Sequence, residues 1–210
     1  MAYNYVATAQ PPTAVTHSLV GNFTAADDVN LIVAESTRIE LFKLTPQGLQ
    51  PVTTFNLYGR ISVMKLVRMP GESQDCLFIS TERYHFVTLE WDSATDEIKT
   101  RANGDIKDKI GRARECGHIG IVDPSTRLVG LHLYDGLLKI IPVEADGMKE
   151  AFNIRLEELD VIDLALLYGC AQPTLLGAPA AQPRPPMPLS PSPRGQSTHT
   201  TIARGAAAAC

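Results

Sequence analysis

Residues Ile119 to Val143 read IGIVDPSTRLVGLHLYDGLLKIIPV, three short apolar runs parted by two turn signals. Ile119 to Val122 ends at Asp123-Pro124-Ser125-Thr126. Leu128 to Leu133 ends at Tyr134-Asp135-Gly136, and Leu137 to Val143 follows. Asp-Gly between apolar runs is a strong hairpin signal, because Gly accepts a positive φ and Asp tolerates one. The stretch therefore predicts an antiparallel meander, with Gly136 at positive φ.

Outward from this stretch the same pattern repeats. Leu31 to Ala34 is a continuous apolar run, as expected of a strand buried on both faces. Turns at Glu35-Ser36-Thr37 and Thr45-Pro46-Gln47-Gly48 separate it from an imperfect alternation over Ile39 to Leu44 and a strand at Val52 to Leu57. The cycle restarts at Ile61 to Val67. It continues through Leu77 to Ser80 and Phe86 to Trp91, with a weaker fourth strand at Ile98 to Ala102. LIVAESTRIEL at 31–41 overlays LFISTERYHFV at 77–87, and LVGLHLYDGLL at 128–138 is the third copy. A period of about 40–50 residues with four short strands per repeat is that of propeller blades. A β-sandwich, which also spaces strands 8–12 residues apart, is the alternative. The expected fold is all-β: three four-stranded blades at about 16–57, 61–106 and 117–158, with Val161 to Tyr168 as the inner strand of a fourth. Tyr3 to Ala9 is a further candidate strand.

Composition breaks after Cys170. Ala171 to Cys210 holds eight prolines, three arginines and no acid, Val, Phe, Tyr or Trp. Such a segment buries too little apolar surface to offset its ordering entropy, so 171–210 is expected to be a disordered Pro/Ala-rich tail. Its PxxP pairs, Pro183 with Pro186 and Pro185 with Pro188 around Arg184, follow from proline density alone. Residues 1–170 carry 16 Lys+Arg against 23 Asp+Glu, a net of −7. An acidic body is a poor non-specific binder of nucleic acid. The opening residues have no basic and apolar leader pattern, and no apolar run approaches membrane-spanning length.

No sequence motif of a phosphate loop, nucleophile elbow, zinc protease or dinucleotide fold is present, so neither catalysis nor a cofactor is expected. His85, His118 and His132 fall on expected strands or their edges and read as structural. Asp160 and Asp163 lie near the last apolar run without a second carboxylate pair, and Glu157-Glu158 reads as a solvated strand end. Cys76, Cys116, Cys170 and Cys210 are widely spaced, with no CxxC pair; reduced thiols and no metal site are expected. Within the polar insertion Gly104 to Gly117, Arg112 and Arg114 are the candidate contacts to a phosphate or an acidic partner.

Several long stretches resemble the amino-terminal region of the DNA damage-binding protein 1 family, with a plant-like cast. They are YNYVATAQPPTAV at 3–15, TRIELFKLTPQGLQPV at 37–52, GDIKDKIGRARECGHIGIVDP at 104–124, RLVGLHLYDGLLKIIPV at 127–143 and AFNIRLEELDVIDLALLYGC at 151–170. The resemblance runs from Met1 to about Leu175. It implies adaptors of cullin-RING ubiquitin ligases, acting in DNA repair and protein turnover in nucleus and cytoplasm. They are built from three seven-bladed propellers and a helical domain. Substrate receptors sit between the first and third propellers, and the cullin on the second. It also implies that damaged DNA is gripped mainly by a partner subunit, and that related RNA-processing subunits share the architecture. Beyond Pro173-Thr174 the pattern departs from the family, as expected of an alternative splice end, an intron read-through or a gene-model error. The expected function is thus that of a truncated adaptor fragment. Nucleic-acid binding within the same superfamily, or a product without function, are the alternatives.

Overall fold

The computed structural model describes residues 9–158 and 160–166. Except for Ala9, the candidate strand Tyr3 to Ala9 lies outside the described residues. So does the Pro/Ala-rich segment 171–210.

Every regular element among the described residues is a strand. The first sheet contains β1 (His17–Gly21), β2 (Asn30–Glu35), β3 (Arg38–Thr45) and β4 (Gly48–Asn56) in sequential order. The second contains β5 (Ile61–Arg68), β6 (Asp75–Thr81), β7 (His85–Asp92) and β8 (Glu97–Asp105) in the same order. The third is built on β9 (Ile119–Val122), β10 (Leu128–Tyr134) and β11 (Leu137–Glu144). Its fourth position is shared by β12 (Gly147–Met148) and β13 (Phe152–Arg155), both paired with β11. All pairings are antiparallel, so each sheet is a meander, as in the blades of an incomplete β-propeller.

Two apolar cores lie between the sheets rather than within one. Phe23 of the β1–β2 connection, with Ile32, Ile39 and Leu41 of the first sheet, meets Ile61, Met64, Leu77 and Ile79 of the second. Val63, Val67, Cys76 and Phe78 of the second meet Val129, Leu131, Ile141 and Val143 of the third. β6 shows why the middle sheet reads as a continuous apolar run. Its alternate side chains Leu77 and Ile79 serve one core while Cys76 and Phe78 serve the other, and all seven of its residues are buried. Period-2 alternation of polarity vanishes when both faces are covered.

The first strands β1, β5 and β9 lie side by side, with β5 in the middle. Close approach there depends on small residues. A Cβ at Gly21 would run into Leu66 of β5, and one at Gly120 into Val63 of β5. Polar ties reinforce the first seam. Asn22 donates its N–H to Asp75 Oδ2 at 2.9 Å and accepts Arg68 Nη2 on its Oδ1 at 3.3 Å.

Three sequence expectations are corrected. Of the expected strand Val161 to Tyr168, residues 161–166 form no strand, since none of the described residues pairs with them, and Leu167 and Tyr168 lie outside the described residues. Leu31 and Val33 of the expected two-faced strand are only half-buried, because the described residues put a second sheet against one face of β2 and none against the other. The insertion begins later than Gly104, since β8 runs to Asp105 and pairs with β7 throughout.

Candidate interaction surface

A series of turns gathers along one edge of the three sheets and is knitted together by main-chain hydrogen bonds. Leu57 and Ile61 donate to the carbonyls of Thr37 and Ser36 in the β2–β3 turn, each at 2.8 Å. Glu82 in the β6–β7 turn donates to Arg60 at 3.0 Å, and Ile106 to Tyr84 at 2.8 Å. Asp135 in the β10–β11 turn donates to Arg112 at 2.9 Å, and Leu156 to Gly136 at 2.8 Å. Each linker between sheets is thus bonded to a hairpin turn beside it. Turns carried on a fixed scaffold are where binding residues concentrate.

The 106–118 linker is the largest feature of this edge. Asp108 organises it. Its Oδ1 accepts the N–H groups of Ile110 and Gly111 at 2.9 and 3.0 Å, and its Oδ2 accepts Asn153 Nδ2 at 2.7 Å. The Ile110 N–H and then the Asn153 amide hold the Asp108 carboxyl below the ordinary carboxylate value. Tyr134 supplies the platform: its Oη accepts the Asp108 N–H at 2.9 Å. A Cβ at Gly111 would come within 2.6 Å of the Tyr134 ring, so glycine lets the loop lie on the aromatic face. Burial raises the Tyr134 hydroxyl above its usual value. Tyr84 stacks on the same ring with centroids 5.0 Å apart, and His118 lies 5.3 Å from Tyr84 on its ring centroid.

The two candidate arginines separate. Arg112 is 76% exposed in its side chain and makes only long ionic contacts, 3.4 Å to Glu115 and 3.8 Å to Asp135. It can turn to a partner. Arg114 is buried, and its guanidinium donates to the Gly117 carbonyl at 2.8 Å and to the Val161 carbonyl. Its role is to hold the end of the loop against residue 161, so of the two arginines only Arg112 keeps an exposed side chain.

Two of the three histidines are drawn into the packing. His118 Nδ1 lies 2.9 Å from Ser62 Oγ, and His132 is fully buried with Nδ1 at 2.8 Å from the Leu137 carbonyl. Burial lowers both imidazoles below their ordinary value. His85 is exposed at the start of β7. Asp160 and Asp163 are exposed, and the Asp163 carboxylate accepts the next residue's N–H. Cys76 is buried and Cys116 exposed, both as free thiols. Burial pushes the Cys76 thiol up to about 11 despite the nearby Arg101 guanidinium, so it stays protonated and unreactive. Cys170 and Cys210 lie outside the described residues.

One feature escaped sequence reasoning. Thr37, Tyr58, Gly59, Arg60, Glu82 and Arg83 line an open groove of about 450 Å³ between the first and second sheets. Its residues come from three separate turns, so no local motif joins them. The only signal in the chain is an aromatic-Gly-Arg triplet, Tyr58-Gly59-Arg60, set between two strands.

Residues 14–178 match the family described as the RSE1/DDB1/CPSF1 first beta-propeller. The chain belongs to that family. DNA damage-binding protein 1a of Arabidopsis thaliana is 59% identical over 175 residues, covering 83% of this chain and 16% of that relative. DNA damage-binding protein 1 of Solanum lycopersicum and of Oryza sativa subsp. japonica are each 58% identical over 175 residues, with the same shares covered. The chain therefore spans about one sixth of the length of the relatives it matches. Membership of the family agrees with the three meander sheets.

Proposed function

We propose that the chain is an adaptor fragment, a protein-interaction module of cullin-RING ubiquitin ligases linked to DNA repair, acting in the nucleus and cytoplasm. The observation that carries this reading is the match to a first propeller over 14–178, with close identity to plant DNA damage-binding protein 1. The edge of bonded turns supports it, since it offers an ordered surface of exposed side chains such as Arg112 and Tyr58 and no catalytic constellation among the described residues. In the resemblance, receptors touch the first and third propellers and the cullin touches the second. Residues 1–210 on their own are therefore expected to retain a substrate receptor weakly and to compete with the full-length adaptor for it, but not to retain cullin. Co-precipitation with purified receptor and cullin tests this. Retention of neither, with no competition, overturns the proposal.

A second reading, direct binding of damaged DNA, is favoured by the relatives' printed names. The acidic balance of residues 1–170 speaks against it. A salt-titrated binding assay on ultraviolet-irradiated duplex separates the two: tight binding with a steep salt slope supports direct phosphate contact.

A further inference from the structure

We infer that the groove between the first two sheets is a docking site for an acidic linear segment of a partner protein, anchored by an apolar side chain on Tyr58 and by a carboxylate between Arg60 and Arg83. This deepens the reading of the chain as an interaction module and rests on it.

The groove is built rather than incidental. Its floor is the linker between β4 and β5, fixed on both sides by main-chain bonds. Leu57 and Ile61 bond to the β2–β3 turn, Gly59 donates to Leu57 at 3.0 Å, and Arg60 accepts from Glu82. A Cβ at Gly59 would meet Thr81 Cγ2 at 3.3 Å, and Gly59 has a φ of 151°, so the linker is seated closely on the second sheet. This backbone leaves the Tyr58 side chain fully exposed. A large aromatic surface in water on a rigid turn can be covered at little ordering cost.

Charge selects the occupant. Arg60 and Arg83 face one acid, Glu82, a local balance of +1 on a chain whose net charge is −4. The Arg60–Glu82 contact is 3.9 Å long with both side chains more than half exposed, which leaves Arg60 available to a closer carboxylate. Arg83 is exposed and makes no ion pair among the described residues. Guanidinium forks suit a carboxylate, and Tyr and Arg are among the residues enriched at interface hot spots. A nucleic-acid track needs a longer run of cations to neutralise successive phosphates, and Glu82 on the groove opposes one.

The test uses the 210-residue chain and a short fluorescent peptide of Glu and Asp around one Leu-Phe pair. Fluorescence anisotropy should show binding that weakens by roughly ten-fold or more in Arg83→Gln and in Tyr58→Ser. The Gln/Asn counterpart of the peptide should bind far less tightly. Glu82→Gln should strengthen binding, because it removes the competing carboxylate, whereas a merely structural role for this turn would weaken it. Thermal midpoints should match the parent in all three variants, since the substituted side chains are exposed. Absence of binding, equal affinity for the neutral peptide, insensitivity to Arg83→Gln and Tyr58→Ser, or tighter binding of single-stranded oligothymidine would each overturn the inference. The same variants in the receptor co-precipitation keep the two readings apart. Undiminished receptor retention beside lost peptide binding leaves the adaptor reading intact and assigns the groove a separate partner. Undiminished retention with no peptide binding sinks the groove alone.

Discussion

Gly136 shows at single-residue scale what a turn signal demands. Its φ is 71°, and the flanking residues Tyr134 and Leu137 pair across the two-residue turn. A β-branched side chain fits positive φ poorly, so Gly136→Val should lower stability by about 1 kcal/mol or more. An unchanged urea midpoint would contradict this. The histidines give a second residue-scale expectation. Burial holds His17, His118 and His132 below the ordinary value of 6.5. As pH falls, the unfolded chain takes up these protons first, so stability is complete above about pH 6.5 and declines below it, toward the depressed folded values. The lowered Asp108 carboxyl acts in a more acid range, below 3.8, and leaves this window undisturbed. The urea midpoint should therefore be flat above about pH 7 and drop on acidification to about pH 5. His132→Asn, which keeps a donor for the Leu137 carbonyl but cannot titrate, should remove part of the drop. A midpoint that stays level across that range rules the account out.

Strands were legible in the chain where polarity pattern and main-chain pairing coincide, and illegible where they part. Leu77 to Ser80 announces a buried strand because two cores share β6. β4 starts at Gly48 rather than Val52, and β8 ends at Asp105 rather than Ala102, because ladder hydrogen bonds continue past the last apolar side chain. Hydropathy does not record that extension. The third sheet's outer strand splits into β12 and β13, since after the Lys149 N–H bond to the Pro142 carbonyl residues 150 and 151 leave the ladder. The groove was invisible for a different reason: it exists only after three distant turns are brought together. Packing between β5 and β9 gives the element-scale prediction. Gly120→Ala should cost about 1–3 kcal/mol by overpacking Val63, a buried β-branched residue. Val63→Ala should cost stability as well, by leaving space. The double variant should be less destabilised than the sum, with a coupling of about 0.5–3 kcal/mol, because each change relieves the other. Strict additivity in chemical denaturation would show that the two strands do not meet through these residues.

At the scale of the whole molecule, the described residues leave one face of the first sheet without a covering sheet. Its inner face is covered by the second sheet. On its outer face, register aligns Val20 with Leu31, Leu31 with Phe42 and Phe42 with Pro51, a row of apolar residues across all four strands. Leu44 pairs with Leu49 on the same face, and both are about half exposed. Strands about 4.8 Å apart make this row broad enough to expose a few hundred Å², the size at which apolar patches mark interfaces. Stacked repeats draw much of their stability from neighbouring repeats, so a bare face is a deficit that a second copy can fill. The 210-residue polypeptide should therefore self-associate, with a light-scattering mass that rises above 22.8 kDa as concentration increases. Val20→Lys with Leu44→Lys should return the mass to that of the monomer without lowering the thermal midpoint, since both side chains already stand in water. Lysines on this face act as the charged residues on natural sheet edges do, by making association cost desolvation. A parent chain that stays at 22.8 kDa at every concentration would show that the face is tolerated bare. A double variant that still associates would move the contact elsewhere, with the exposed Phe152 and Ile154 of β13 next to be substituted.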